Sequence, residues 1–208
     1  MAEATRAPAK RRGRPADRDS SDTKRAILDS ARRLFAERGY GAVTNKDVAA
    51  AAGITPAALY HYVDSKLDLY VRVHRDIQRQ VYGRFVEAVQ CADTFAGQFE
   101  AVLEAAHELN GEDPSLAMFI GTVRIDMRRF PEIAERLATA AADRDRFFTD
   151  IVDVGIASGE VCGANRAMVA EFIRVMFVGL TEGEARTPEE YRLAVDSMRA
   201  AVHGNLLT

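Results

Sequence analysis

From Ile27 onward, apolar residues recur at steps of three and four with hardly a break. Ile27, Leu28, Ala31, Leu34 and Phe35 make one stripe and predict a helix over about 22–38, ended by Gly39 and Gly41. A longer stripe, Leu69, Val73, Ile77, Val81, Phe85 and Val89, predicts a helix that starts after Asp64 or Ser65 and runs to about Gln90. At about 1.5 Å per residue it is long enough to leave one domain and enter the next. Further helices are expected over about 94–109, stopped at Asn110-Gly111, and from Asp113 to just before Pro131. Another runs from Pro131 to about Ser158 and is closed by Gly159, and one covers about 165–184. The last starts at Thr187, with Pro188 at its first position and Glu189 and Glu190 favouring its dipole. No segment alternates with period two and no repeat is visible, so the fold class is all-α. The segment FIRVMFVGL is apolar nearly all round, which predicts burial on more than one side, in the core or against a second subunit.

Between the first two stripes lies TNKDVAAAAGITPAALYHYVDSK, residues 44–66. Thr44 is a suitable N-cap, and Asp47 can complete a capping box. The helix then runs on alanines to Gly53, the residue best able to take a left-handed turn. Thr55 caps a second helix, expected to be two turns long, with Pro56 at its first position. Two helices joined by a short glycine turn are the geometry of a helix-turn-helix, whose second helix enters the DNA major groove. At about 100° per residue, Leu59 and Val63 face inward, while Ala57, Ala58 and His61 face out between Tyr60 and Tyr62. The same spacing also suits a small helical hairpin in any all-α protein.

Composition sharpens this picture. The 208 residues carry 28 Lys+Arg and 31 Asp+Glu, a net charge of −3. Residues 1–70 hold 13 basic against 9 acidic residues, whereas 71–208 hold 15 against 22. A basic head on an acidic body suits a protein that docks one end on phosphate. Residues 1–20 show no apolar periodicity and read as a disordered basic arm. Within it, KRRGRP resembles an AT-hook core, in which Arg12 and Arg14 would enter a narrow minor groove; a solubilising tail is the alternative. No apolar run suits a membrane span or signal peptide. Cys91 and Cys162 lie far apart without a C-x-x-C partner, which argues for a reducing cytoplasm and for buried, inert thiols. The histidines are scattered, and no phosphate loop, nucleophile elbow or metal spacing is present, so neither an enzyme nor a metal or cofactor site is expected. Asp143, Asp145 and Asp150 with Arg144 and Arg146 read as a solvated helix face.

Residues 23–70, from ILDSARRLFAERGYGAVTNKDVAAAAGI to LYHYVDSKLDLY, resemble the DNA-binding region of the TetR family of bacterial transcriptional regulators. The motifs are a leading amphipathic helix ending in RGY, a threonine, AAGIT, and LY-x-Y followed by SK. The resemblance implies a helix-turn-helix domain over 21–70 joined by a long helix to a ligand-binding and dimerisation bundle over 71–208. It implies that Thr44, Tyr60, Tyr62 and Lys66 hold the DNA backbone and that Thr55, Ala57, Ala58 and His61 face the groove. Asn45 stands where members often carry Arg, and Asn45 and Lys46 join the expected DNA contacts; an Asn amide can pair with adenine. The implied partners are a palindromic operator in double-stranded DNA, a second copy of the chain and a small effector. In the body, Phe95, Phe99, Leu103, Phe119, Val123, Met127, Phe147, Phe148, Ile151, Met168, Phe172, Met176 and Phe177 supply large apolar side chains, with His107 and Arg124 as polar groups. Each alone reads as core; as a set, the resemblance implies a pocket for a mainly apolar ligand. The alternative is a helical protein-interaction module whose helix-turn-helix reads no operator.

Overall fold

The computed structural model describes residues 16–181 and 187–206. Among the described residues there are nine α-helices and no strand: α1 Ala16–Ala42, α2 Asn45–Ala51, α3 Pro56–Leu59, α4 Lys66–Val89, α5 Phe95–Glu112, α6 Ser115–Arg129, α7 Pro131–Ser158, α8 Arg166–Thr181 and α9 Pro188–Val202. Helix α1 starts inside the stretch expected to be an arm. It breaks at Gly39, whose φ of 72° sends the chain out of the helical path. Arg12 and Arg14 lie outside the described residues.

Local signals set most boundaries. Thr44 and Asp47 form the reciprocal capping box, Thr55 caps α3 through the Ala58 N–H, and Ser65 caps α4 through the Asp68 N–H. Gly159 closes α7 at φ 83°, and Thr187 with Glu190 forms a second capping box at α9. Two expectations fail. Helix α3 is one turn rather than two, and the chain continues as tight turns in which the Tyr62 and Val63 N–H groups both donate to Leu59 O. Helix α5 runs past Asn110-Gly111 to Glu112, because Arg84 of α4 pairs with both Glu108 and Glu112 and holds the last turn. Both cysteines, expected to be buried, are exposed.

Head and body share one core. Tyr70 of α4, wholly buried, meets Phe35 and Tyr40 of α1 edge-on at 4.9 and 5.2 Å, and Phe119 of α6 at 5.1 Å. Polar bonds cross the same seam. Arg32 of α1 donates to Ser115 and Asp113, and Thr122 of α6 donates to Ala36 O. The centre of the seam is Asp126 of α6, 3% exposed, which accepts from the Tyr40 N–H and the Tyr70 hydroxyl, each at 2.9 Å. Gly39 is called for by its φ of +72° rather than by space, since a Cβ there would be in ordinary contact with Asp126 Oδ1, at 3.4 Å. The body is completed by α5, α7, α8 and α9 around the stripe of α4, whose Leu69, Val73, Ile77, Val81 and Phe85 are all buried as expected.

Candidate functional site

The helix-turn-helix is built outward from Leu59 and Val63, which are buried against Val48 and Ala49 and fix the roll of α3. That roll leaves Thr55, Ala57 and His61 exposed, Ala58 and Tyr62 half-buried and Tyr60 57% exposed. Thr44 and Lys46 lie exposed at the start of α2. The side chains expected to meet the groove therefore gather on one open surface. Asn45 is half-buried: its Nδ2 donates to the Tyr60 hydroxyl at 3.2 Å, and its Oδ1 is enclosed without a hydrogen-bond partner. This bond ties the first residue of α2 to the end of α3. The Asp47 carboxyl is held below the ordinary range by the hydroxyl and backbone N–H of Thr44, so the cap stays ionised.

Lys66 occupies a different place from a free phosphate ligand. Its Nζ donates to Tyr40 O at 2.8 Å and to Val43 O at 3.0 Å, and stands 4.2 Å above the Tyr40 ring. Those carbonyls belong to the turn beyond Gly39, where no helical donor reaches them. Two of the three ammonium N–H groups are thus committed within the subunit, and the lysine orders the turn that launches α2.

The body encloses a cavity of about 150 Å³ between α4, α5, α6, α7, α8 and α9. Of the residues expected to line a ligand pocket, Val123, Arg124, Met127, Phe148 and Phe177 do. Phe95, Phe99, Leu103, Phe119 and Ile151 are buried in the core instead, and Phe147 stacks on Phe85 and meets Tyr82 edge-on. His107 stacks on Tyr191, Met176 packs against the core from outside, and Phe172 is exposed on α8. The rest of the wall comes largely from α4: Val81 and Phe85 of its expected apolar stripe, with His74, Gln78 and Tyr82 beside it. Arg144, read as part of a solvated face, lines the cavity with Arg174. The spacing of His74, Gln78 and Tyr82, one helical turn apart beside an apolar stripe, was the available signal.

Burial, with Arg144 and Arg75 nearby, pushes the His74 imidazole down to about 4 from 6.5. Between those values the unfolded chain binds a proton that the native ring refuses, so stability falls as pH drops from about 6.5 towards 4. The expected loss is about 3 kcal/mol, from about 1.36 kcal/mol per unit. Urea midpoints at pH 7.0 and 4.5 check this: His74→Leu should show a smaller drop than the wild type.

Residues 27–73 match the family model of bacterial regulatory proteins of the tetR family. The chain is 32% identical over 126 residues to the HTH-type transcriptional repressor KstR2 of Rhodococcus jostii strain RHA1, covering 58% of this chain and 62% of that one, under two thirds of its length. It is 24% identical over 190 residues to the HTH-type transcriptional regulator UidR of Escherichia coli K12, covering 90% and 95%. In fold it resembles Salmonella enterica GusR, with a TM-score of 0.71 at 21% identity over 89% of this chain and 96% of that one. No helix among the described residues is long and apolar enough to cross a membrane. Residues 27–73 thus match the helix-turn-helix region of bacterial regulatory proteins of the tetR family, and the chain is similar to HTH-type transcriptional regulators.

Proposed function

We propose that the protein is a homodimeric transcriptional repressor in the cytoplasm that leaves its operator when a small ligand enters the body. The observation that carries the reading is the unobstructed outer surface of α3, with Ala57 and His61 exposed beside Tyr60. Small methyls there admit a close approach to base edges and to a thymine methyl, while Thr44, Lys46, Thr55 and the tyrosine hydroxyls stand ready for phosphates. Asn45 reads adenine once its amide leaves Tyr60. Lys66 acts through the turn it orders. Arg12 and Arg14 of the basic arm add a minor-groove contact. The head is taken as 21–70 and the body as 71–208.

Dimerisation fits the apolar side chains left open on α8 and α9, Met168, Phe172, Val175 and Leu193. A two-fold pair would set two recognition helices about one DNA turn apart, on a palindromic site. Coupling to the cavity runs through α6, where Val123, Arg124 and Met127 line the cavity and Asp126 holds the Tyr40 turn of the head. A ligand moves this equilibrium only by binding the two arrangements unequally.

The test is selection of genomic fragments on the immobilised protein, followed by fluorescence anisotropy at two salt concentrations. Ala57→Glu places a carboxylate against the phosphates and should weaken binding by about 100-fold at unchanged fold. Unchanged affinity in this variant would remove α3 from the interface. Indifference of the wild type to fragment sequence would favour the interaction-module reading.

A further inference from the structure

The charged residues of the cavity depart from those around them. Residues 71–208 are acidic overall, with 22 Asp+Glu against 15 basic residues. Yet the described cavity wall contains Arg124, Arg144 and Arg174 and no Asp or Glu. The acids that pair with these arginines stand away from the wall: Arg144 binds Asp145 at 2.8 Å, and Arg174 binds Glu171. Asp145 also acts on Arg174, which puts the two arginines in one electrostatic neighbourhood.

A second observation comes from α4. His74 is 7% exposed, and its Nδ1 is enclosed with no hydrogen-bond partner. Its Nε2 lies 3.4 Å from Gln78 Nε2. With the Gln78 amide nitrogen towards the ring, the matching tautomer is the one in which Nε2 accepts and Nδ1 carries the proton. His74 belongs to the cavity wall, and a buried ring N–H without an acceptor is an arrangement that native proteins seldom leave unused. Arginine forks and an N–H donor together recognise a planar anion with two oxygens.

The remaining wall is apolar and partly aromatic, with Phe85, Ile120, Phe148 and Phe177. The volume, about 150 Å³, matches that of an engineered core cavity that takes up benzene. It suits a single ring or a short alkyl chain.

We infer that the cavity binds a small apolar monocarboxylic acid, its ring or short chain among the phenylalanines and its carboxylate on His74 Nδ1, Arg144 and Arg174. This rests on the effector reading above and narrows its ligand from a mainly apolar molecule to an amphipathic acid. A neutral isostere brings no negative charge to the arginines, and an ammonium meets like charge, so the headgroup governs affinity.

Isothermal titration of the full chain without DNA tests this. The probes are 3-phenylpropanoate, 3-phenylpropan-1-ol and 3-phenylpropylammonium, with octanoate and octan-1-ol as a second pair. Each carboxylate should bind at least tenfold tighter than its alcohol, and the ammonium should give no detectable heat. In Arg144→Gln/Arg174→Gln, with folding checked by circular dichroism, the preference should vanish while alcohol affinity stays. Equal binding of acid and alcohol by the wild type, or absence of binding by both carboxylates, overturns the inference whatever the variant does. Anisotropy on selected DNA separates the two readings. An acid that binds with this preference but leaves DNA affinity unchanged supports this inference and sinks the effector role. Release of DNA by alcohols as readily as by acids does the reverse.

Discussion

Asp126→Ala should cost the fold about 4 kcal/mol, seen as a lowered urea midpoint at an unchanged slope. The carboxylate accepts from the Tyr40 N–H and the Tyr70 hydroxyl, and all three residues are buried. Alanine would leave both donors in a low-dielectric seam that water does not reach, and each stranded donor costs about 1–3 kcal/mol. Tyr70→Phe removes one donor together with its need and should cost only about 1 kcal/mol. The double variant should therefore be more stable than the sum of the single losses predicts. Strict additivity would mean that the two groups do not meet. Because Asp126 also holds the turn that leads into α2, DNA affinity at temperatures where the variant is still folded should fall as well.

Gly121→Ala is the second large effect. Alanine in a helix is ordinarily better than glycine by about 1 kcal/mol. Here a Cβ would collide with the Thr181 carbonyl oxygen, which is backbone and cannot rotate aside. One turn further along α6, Arg124 donates to Val178 O and the Thr181 hydroxyl, at 3.4 and 3.1 Å, across the same α6–α8 contact. The methyl would part these helices, breaking that clasp and opening the cavity wall that Val123, Arg124, Val178 and Leu180 share. A net loss of about 3 kcal/mol is expected from the overpacking, with weaker ligand binding by calorimetry. A neutral or more stable Gly121→Ala would show that α6 and α8 do not approach so closely.

What could be read from the chain follows the range of the forces involved. Caps, proline starts and left-handed glycines act over four or five residues, so Thr44 with Asp47, Thr55 with Pro56, Gly159, and Thr187 with Glu190 were legible. So was the roll of α3, because Leu59 and Val63 fix it by periodicity. The long-range parts were not. Whether Asn110-Gly111 ends a helix depends on Arg84 of another helix. That Lys66 caps carbonyls is decided by a turn more than 20 residues upstream. The cavity lies where six helices fail to fill space, a property of their packing and of no single stripe. Arg144 belongs to a charged run by sequence and to the cavity wall by position.

The shared aromatic seam bears on attempts to re-target the protein. A reading head borrowed from a relative would arrive without its own counterparts for Asp126, Thr122 and the Asp113–Ser115 pair, and its tyrosine turn would sit on a foreign surface. Exchanging only outward side chains between Thr44 and Tyr62 leaves that junction intact. Rewiring of sequence preference is therefore best attempted by surface grafting, with whole-module swaps reserved for donors that carry the same α1–α6 contacts.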